Sequence, residues 1–85
     1  MRALIVDDEP LARENLRLLL GAAGDVSVVA ECRNGREAVE QVDALRPDVV
    51  FLDIRMPGQD GFAVVEQLGR AGDAPLVVFV TAYDA

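Results

Sequence analysis

A parallel sheet covered by helices on both faces, an α/β domain, is the architecture these residues specify. Four short apolar runs are spaced along the chain, and helical periodicity fills each interval between them. Three of the runs scarcely alternate between apolar and polar side chains, which suits strands buried on both faces as in a parallel sheet. The resulting order, strand-helix-strand-helix-strand-helix-strand, is expected to wind through right-handed crossovers.

The first run is Ala3-Leu4-Ile5-Val6. Pro10 then suits the opening position of a helix, where its missing N–H costs nothing. Ala12, Leu16, Leu19 and Leu20 fall at i, i+4, i+7 and i+8, Leu11 and Leu18 widen that apolar face, and Gly21 and Gly24 supply stop signals. The second run, Val26 to Ala30, alternates more and fits an edge position. Asn34 follows as a helix N-cap, and Ala38, Val42 and Leu45 share one face until Pro47 ends the helix. The third run is Val49-Val50-Phe51-Leu52. Beyond it, Asp60-Gly61 is expected to open a helix that buries Phe62, Val65 and Leu68, with Gly72 and Pro75 closing it. The fourth run, Leu76 to Val80, passes into Thr81-Ala82-Tyr83-Asp84-Ala85. No internal repeat, low-complexity tract or linker interrupts the pattern.

The 85 residues, 52% of them hydrophobic, are enough for one small core, so residues 1–85 read as a single domain. A formal net charge of −7 argues against direct nucleic-acid binding, which needs a basic footprint. The eight basic residues are all arginine, and the chain has neither lysine nor histidine. Cys32 is the single cysteine, which excludes an internal disulfide and leaves no His and Cys set for zinc. The apolar stretch between Arg2 and Asp7 is too short for the core of a signal peptide. No run approaches the ~20 residues of a membrane helix. A soluble, cytoplasmic protein is expected.

The chemistry lies in carboxylates. Asp7 and Asp8 follow the first strand and Asp53 follows the third. Open α/β sheets bind ligands beyond the carboxyl ends of their strands, where the winding direction reverses. If the first and third strands are neighbours, three carboxylates meet there, and their mutual repulsion would be relieved by a divalent cation. All-oxygen ligands suit Mg²⁺ or Mn²⁺. Acidic residues at strand ends also serve simply as helix caps, and for Asp8 or Glu9 alone that plainer role would suffice. For Asp7, Asp8 and Asp53 together, each placed just after a buried run, a metal site is the better reading.

Three segments resemble the receiver domains of two-component response regulators. Leu4-Ile5-Val6-Asp7-Asp8-Glu9-Pro10 is similar to their acidic opening, Asp53-Ile54-Arg55-Met56-Pro57-Gly58-Gln59-Asp60-Gly61 to their phosphoacceptor loop, and Val78-Phe79-Val80-Thr81-Ala82 to their fourth strand with its switch hydroxyl. The resemblance implies a flavodoxin-like sheet of order 2-1-3-4(-5) and a phosphorylation switch rather than an enzyme with an external substrate. It implies that Asp53 takes a phosphoryl group from a sensor histidine kinase and later loses it by autodephosphorylation. Asp8, Asp53 and the backbone carbonyl of Arg55 would hold the Mg²⁺ or Mn²⁺, with Asp7 acting directly or through water. Thr81 would donate its hydroxyl to a phosphoryl oxygen and couple phosphorylation to loop movement. Glu9-Pro10-Leu11-Ala12-Arg13 and Thr81-Ala82-Tyr83-Asp84 look similar to regulators with a LytTR-type DNA-binding output domain, so the expected partners are a kinase and a transcriptional output domain, with no membrane.

Alternatives are weaker. A hydrolase of the haloacid dehalogenase type needs a second acid two residues after its nucleophile, and Arg55 stands there. A nucleotide- or flavin-binding module needs a Gly-rich phosphate loop after the first strand, where Asp7-Asp8-Glu9-Pro10 would repel phosphate. A degenerate receiver acting as a phosphorylation-independent interaction module is the runner-up. Receivers also carry a fifth strand ending in lysine and two further helices, for which these residues offer no counterpart, so the domain is expected to be incomplete at its C-terminus. Arginine differs from lysine in shape and reach and is not assumed to substitute. With the fourth strand's edge and part of the first helix uncovered, self-association of this fragment is expected.

Overall fold

The computed structural model describes residues 1–53, 61–69 and 74–80, leaving the side chains of residues 61 and 62 aside. Strands and helices alternate as β1 (Arg2–Val6), α1 (Pro10–Ala23), β2 (Ser27–Cys32), α2 (Gly35–Leu45), β3 (Val49–Asp53), α3 (Gly61–Gly69) and β4 (Leu76–Val80). The strands form one parallel sheet of order β2-β1-β3-β4. This is the order implied by the resemblance, and β2 takes the expected edge position. The register of β1 on β2 slips between Ala3 and Leu4, whose partners are Val28 and Ala30, so Val29 forms a bulge.

Successive side chains of a strand point to opposite faces, and the core divides accordingly. Leu4 and Val6 of β1 join Val50 and Leu52 of β3 beneath Ala38 and Val42 of α2 and Val64 and Leu68 of α3. Ala3, Ile5 and Val49 are equally buried on the other face, where α1 packs across β1 and β2. Each fully buried aliphatic side chain contributes about 1.5–3 kcal/mol, so this two-sided burial is the main support of the sheet.

Helix ends and faces depart from the sequence pattern in three places. Helix α1 runs through Gly21 and stops at Gly24, whose left-handed backbone (φ 80°) lets its N–H donate to the Gly21 carbonyl at 3.3 Å. The leucine face of α1 is split: Leu16 and Leu20 are half-buried, whereas Leu11, Leu18 and Leu19 are 71%, 63% and 70% exposed. In α3 the deeply buried pair is Val64 and Leu68, with Val65 only flanking the core. A single helical turn separates 64 from 68, so Val65 is carried to the margin of that face. The expected roles of Asp60, Phe62 and Gly72 lie outside the described residues and side chains. Helix α2 follows expectation, with Asn34 as N-cap and Ala38 and Val42 buried.

Candidate functional site

Asp53 closes β3, and Asp7 and Asp8 lie in the turn just after β1. Because β2 and β3 lie on opposite sides of β1, the winding direction reverses between β1 and β3. Ligands of open α/β sheets bind at that point. Asp7, Asp8 and Asp53 each offer a carboxylate oxygen there, all within 4.8 Å of one another. Asp53 is 7% and Asp7 9% exposed, while Asp8 faces solvent, giving a buried floor with an open rim.

Asp7 is anchored through three groups. Its N–H donates to the Cys32 carbonyl at 3.0 Å, its Oδ1 accepts the Glu9 N–H at 2.9 Å, and its carbonyl accepts from Arg13 Nη1 at 2.7 Å. The carboxylate therefore does double duty, shaping the turn into α1 while facing the other two acids. Burial pushes its pKa above the ordinary value, the Glu9 N–H pulls it back, and the charges of Asp53 and Asp8 add to the rise. Two unit charges 4.8 Å apart repel by about 3 kcal/mol at an effective dielectric of 20. Such a cluster favours a compact positive charge. Three hard oxygen donors with one open side match a small divalent cation that keeps some of its water, so the residues fit a metal of the Mg²⁺ or Mn²⁺ kind.

Of the residues expected at the site, the structure brings Asp7, Asp8 and Asp53 together, while Arg55 and Thr81 lie outside the described residues, as do Met56, Pro57 and Tyr83. One residue at the site was not singled out by sequence pattern. Arg13, at the end of the first turn of α1, reaches the Asp7 carbonyl and pairs with Glu31 of β2 at 3.6 Å. Nothing local in the sequence announces this, since it depends on the docking of α1 against an edge strand. Cys32 is buried, and its thiol is pushed up to about 11, chiefly by burial and secondarily by the charge of Glu37. It is therefore a neutral core residue at physiological pH rather than a nucleophile. A cavity of about 650 Å³ lined by Arg46, Pro47, Asp48, Ala74 and Pro75 opens at the opposite end of the sheet, away from the acids.

The family model for the response regulator receiver domain matches residues 3–85. Over 84 residues the chain is 52% identical to the transcriptional regulatory protein BtsR of Salmonella typhi, covering 99% of this chain and 35% of that protein. It is 49% identical over 85 residues to the positive alginate biosynthesis regulatory protein of Pseudomonas aeruginosa, covering 99% and 34%. Among solved structures, the response regulator domain of Thermotoga maritima CheB superposes with a TM-score of 0.87 at 32% identity, covering 95% of this chain and 60% of that one. A LuxR-family two-component response regulator from Aurantimonas superposes with a TM-score of 0.89 at 29% identity, covering 98% and 59%. The chain spans about a third of the length of the curated relatives it matches.

Proposed function

The chain belongs to the response regulator receiver domain family, and from that premise we propose that residues 1–85 act as a phosphoacceptor switch, with Asp53 taking a phosphoryl group from a sensor histidine kinase. The observation that carries this reading is the meeting of Asp7, Asp8 and Asp53 within 4.8 Å where the sheet reverses its winding. A carboxylate oxygen of Asp53 attacks phosphorus, the bond to the donor breaks, and the donor leaves with its electron pair. Water later cleaves the acyl phosphate, restoring the Asp53 carboxylate and releasing inorganic phosphate. No external substrate is turned over.

Asp7, Asp8, Asp53 and the Arg55 carbonyl are the proposed ligands of a Mg²⁺ or Mn²⁺ ion. When bound, it would supply the positive charge that phosphoryl transfer needs between clustered oxygens. The buried floor formed by Asp53 and Asp7 holds the nucleophile in place, and the exposed Asp8 leaves the donor a way in. Thr81 is assigned the hydroxyl that donates to the phosphoryl group. The relatives' description as transcriptional regulators supports an output domain that binds DNA, of the LytTR type on the sequence resemblance. Other copies of this chain are a further proposed partner. A cytoplasmic location accords with that role, and no helix among the described residues is long and apolar enough to cross a membrane.

The test is intact-mass spectrometry of the protein after treatment with phosphoramidate or acetyl phosphate and Mg²⁺. One phosphoryl group is expected on the wild type and none on Asp53→Asn. Equal modification of that variant would place the acceptor elsewhere.

A further inference from the structure

Beyond Val6 the chain leaves the strand, and the positions of the Asp7 and Asp8 carboxylates depend on how the turn into α1 is held. The Asp7 peptide is its anchor: the N–H is tied to β2 through the Cys32 carbonyl, and the carbonyl accepts the Arg13 guanidinium at 2.7 Å. The Arg13 side chain is 14% exposed, and its Nε lies 3.6 Å from Glu31 Oε1. The other Glu31 oxygen is held by Arg17 Nη1 at 2.7 Å, one helical turn along α1. Alternation along β2 explains the geometry. Ala30 and Cys32 face the core beneath α2, so Glu31 faces α1. Helix α1 contains no fully buried residue, so its polar contacts to the turn and to β2 add to a partial apolar packing.

We propose that Arg13 is a positioning residue of the acidic site, holding the Asp7 carbonyl so that the Asp7 and Asp8 carboxylates stay aimed at Asp53 against their mutual repulsion, with Glu31 holding Arg13 in turn. This inference rests on the metal-binding reading above only for its effect on the ion. Its effect on the turn stands apart from that reading. Arginine suits the task because its planar fork serves a carbonyl and a carboxylate at once, whereas a lysine ammonium is a single point charge.

Arg17 provides the control, since it shares Glu31 but does not touch Asp7. Amide hydrogen exchange in the metal-free full chain reads the turn through the Glu9 N–H, which Asp7 Oδ1 accepts. In Arg13→Ala the Glu9 amide is expected to exchange about tenfold faster, equivalent to ~1.4 kcal/mol, while the Val50 and Leu52 amides hold. Arg13→Lys should fall between the two and serves if the alanine variant does not fold. Arg17→Ala should leave Glu9 unchanged. Mn²⁺ titration, followed by broadening near Asp53, should show about tenfold weaker binding in Arg13→Ala, matching the same lost contact. If Mn²⁺ fails to bind the wild type, the metal reading falls and Glu9 exchange still decides Arg13. An unchanged Glu9 amide in both Arg13 variants would overturn the proposal. So would acceleration only in step with β3, or equally in Arg17→Ala.

Discussion

Every polar group of Asp7 has a partner, yet its carboxyl is raised above its ordinary pKa because it is buried and faces Asp53 and Asp8. The three acids hold electrostatic strain that the rest of the fold offsets. Replacing Asp7 with asparagine removes the charge and keeps the oxygen that accepts the Glu9 N–H. Asp7→Asn is therefore expected to be more stable than the wild type in chelator-treated buffer, by on the order of 1–3 kcal/mol in urea unfolding. Saturating Mg²⁺ should narrow or reverse the gap, because the ion stabilises only the folded state that binds it. A variant less stable than the parent without metal would mean that repulsion is not what these acids store.

The two helices flanking β2 are started by different means. Helix α1 begins at Pro10 with no side-chain cap from Glu9, and its first turn depends on Asp7. Helix α2 carries a reciprocal cap, in which Asn34 Oδ1 accepts the Glu37 N–H at 2.8 Å and Glu37 Oε1 accepts the Arg33 N–H at 2.8 Å. Asn34→Ala should cost about 1 kcal/mol in chemical unfolding. The Glu37 pKa is lowered, first by the Arg33 N–H and then by the Arg33 side chain and charge, with some opposition from burial. A carboxyl lowered on folding stabilises above its unfolded pKa and loses that contribution as pH falls. The stability gap between wild type and Glu37→Gln should therefore be full at pH 7 and shrink on acidification below 4.5, the ordinary value for a glutamate carboxyl. A gap constant down to pH 3 would show that the charge plays no part. The α2 cap and the four strands were legible because they are local patterns: Asn34 just ahead of a helical apolar face, and short apolar runs. The burial of α1 was not, since periodicity identifies an apolar face without saying how much of it the sheet covers. The Arg13–Glu31 pair was equally hidden, because it needs the register of β2 and the docking of α1 together. At the site, Asp7, Asp8 and Asp53 could be found from their places after apolar runs, whereas their separation could not.

The molecule as a whole sets apolar attraction against like charge. Because α1 packs over β1 and β2, it leaves Leu76 and Val78 exposed on the same side of β4, opposite Val77, which packs on the core. Leu11, Leu18 and Leu19 are exposed on α1 itself, and Phe79 is exposed on β4. Exposed side chains of this size favour association, each contributing about 1.5–3 kcal/mol when buried. Against them stands a net charge of −7, which makes copies repel over a Debye length of ~10 Å at 0.1 M salt and only ~3 Å at 1 M. The 85 residues, taken as a separate molecule, are therefore expected to self-associate more strongly as salt rises, the reverse of an assembly held by ion pairs. Sedimentation equilibrium over a range of concentrations at ~0.1 M and ~1 M NaCl tests this, since screening predicts a higher average mass at the higher salt. Leu76→Lys should return the chain toward monomer by placing a charge on the strand, a device that natural edge strands use. A monomer at every concentration in both salts would show that α1 and β4 tolerate this exposure without a partner. Association that weakens with salt would place the contact in charged pairs instead, with Arg33, Arg36 and Glu40, exposed on and beside α2, as the first residues to vary.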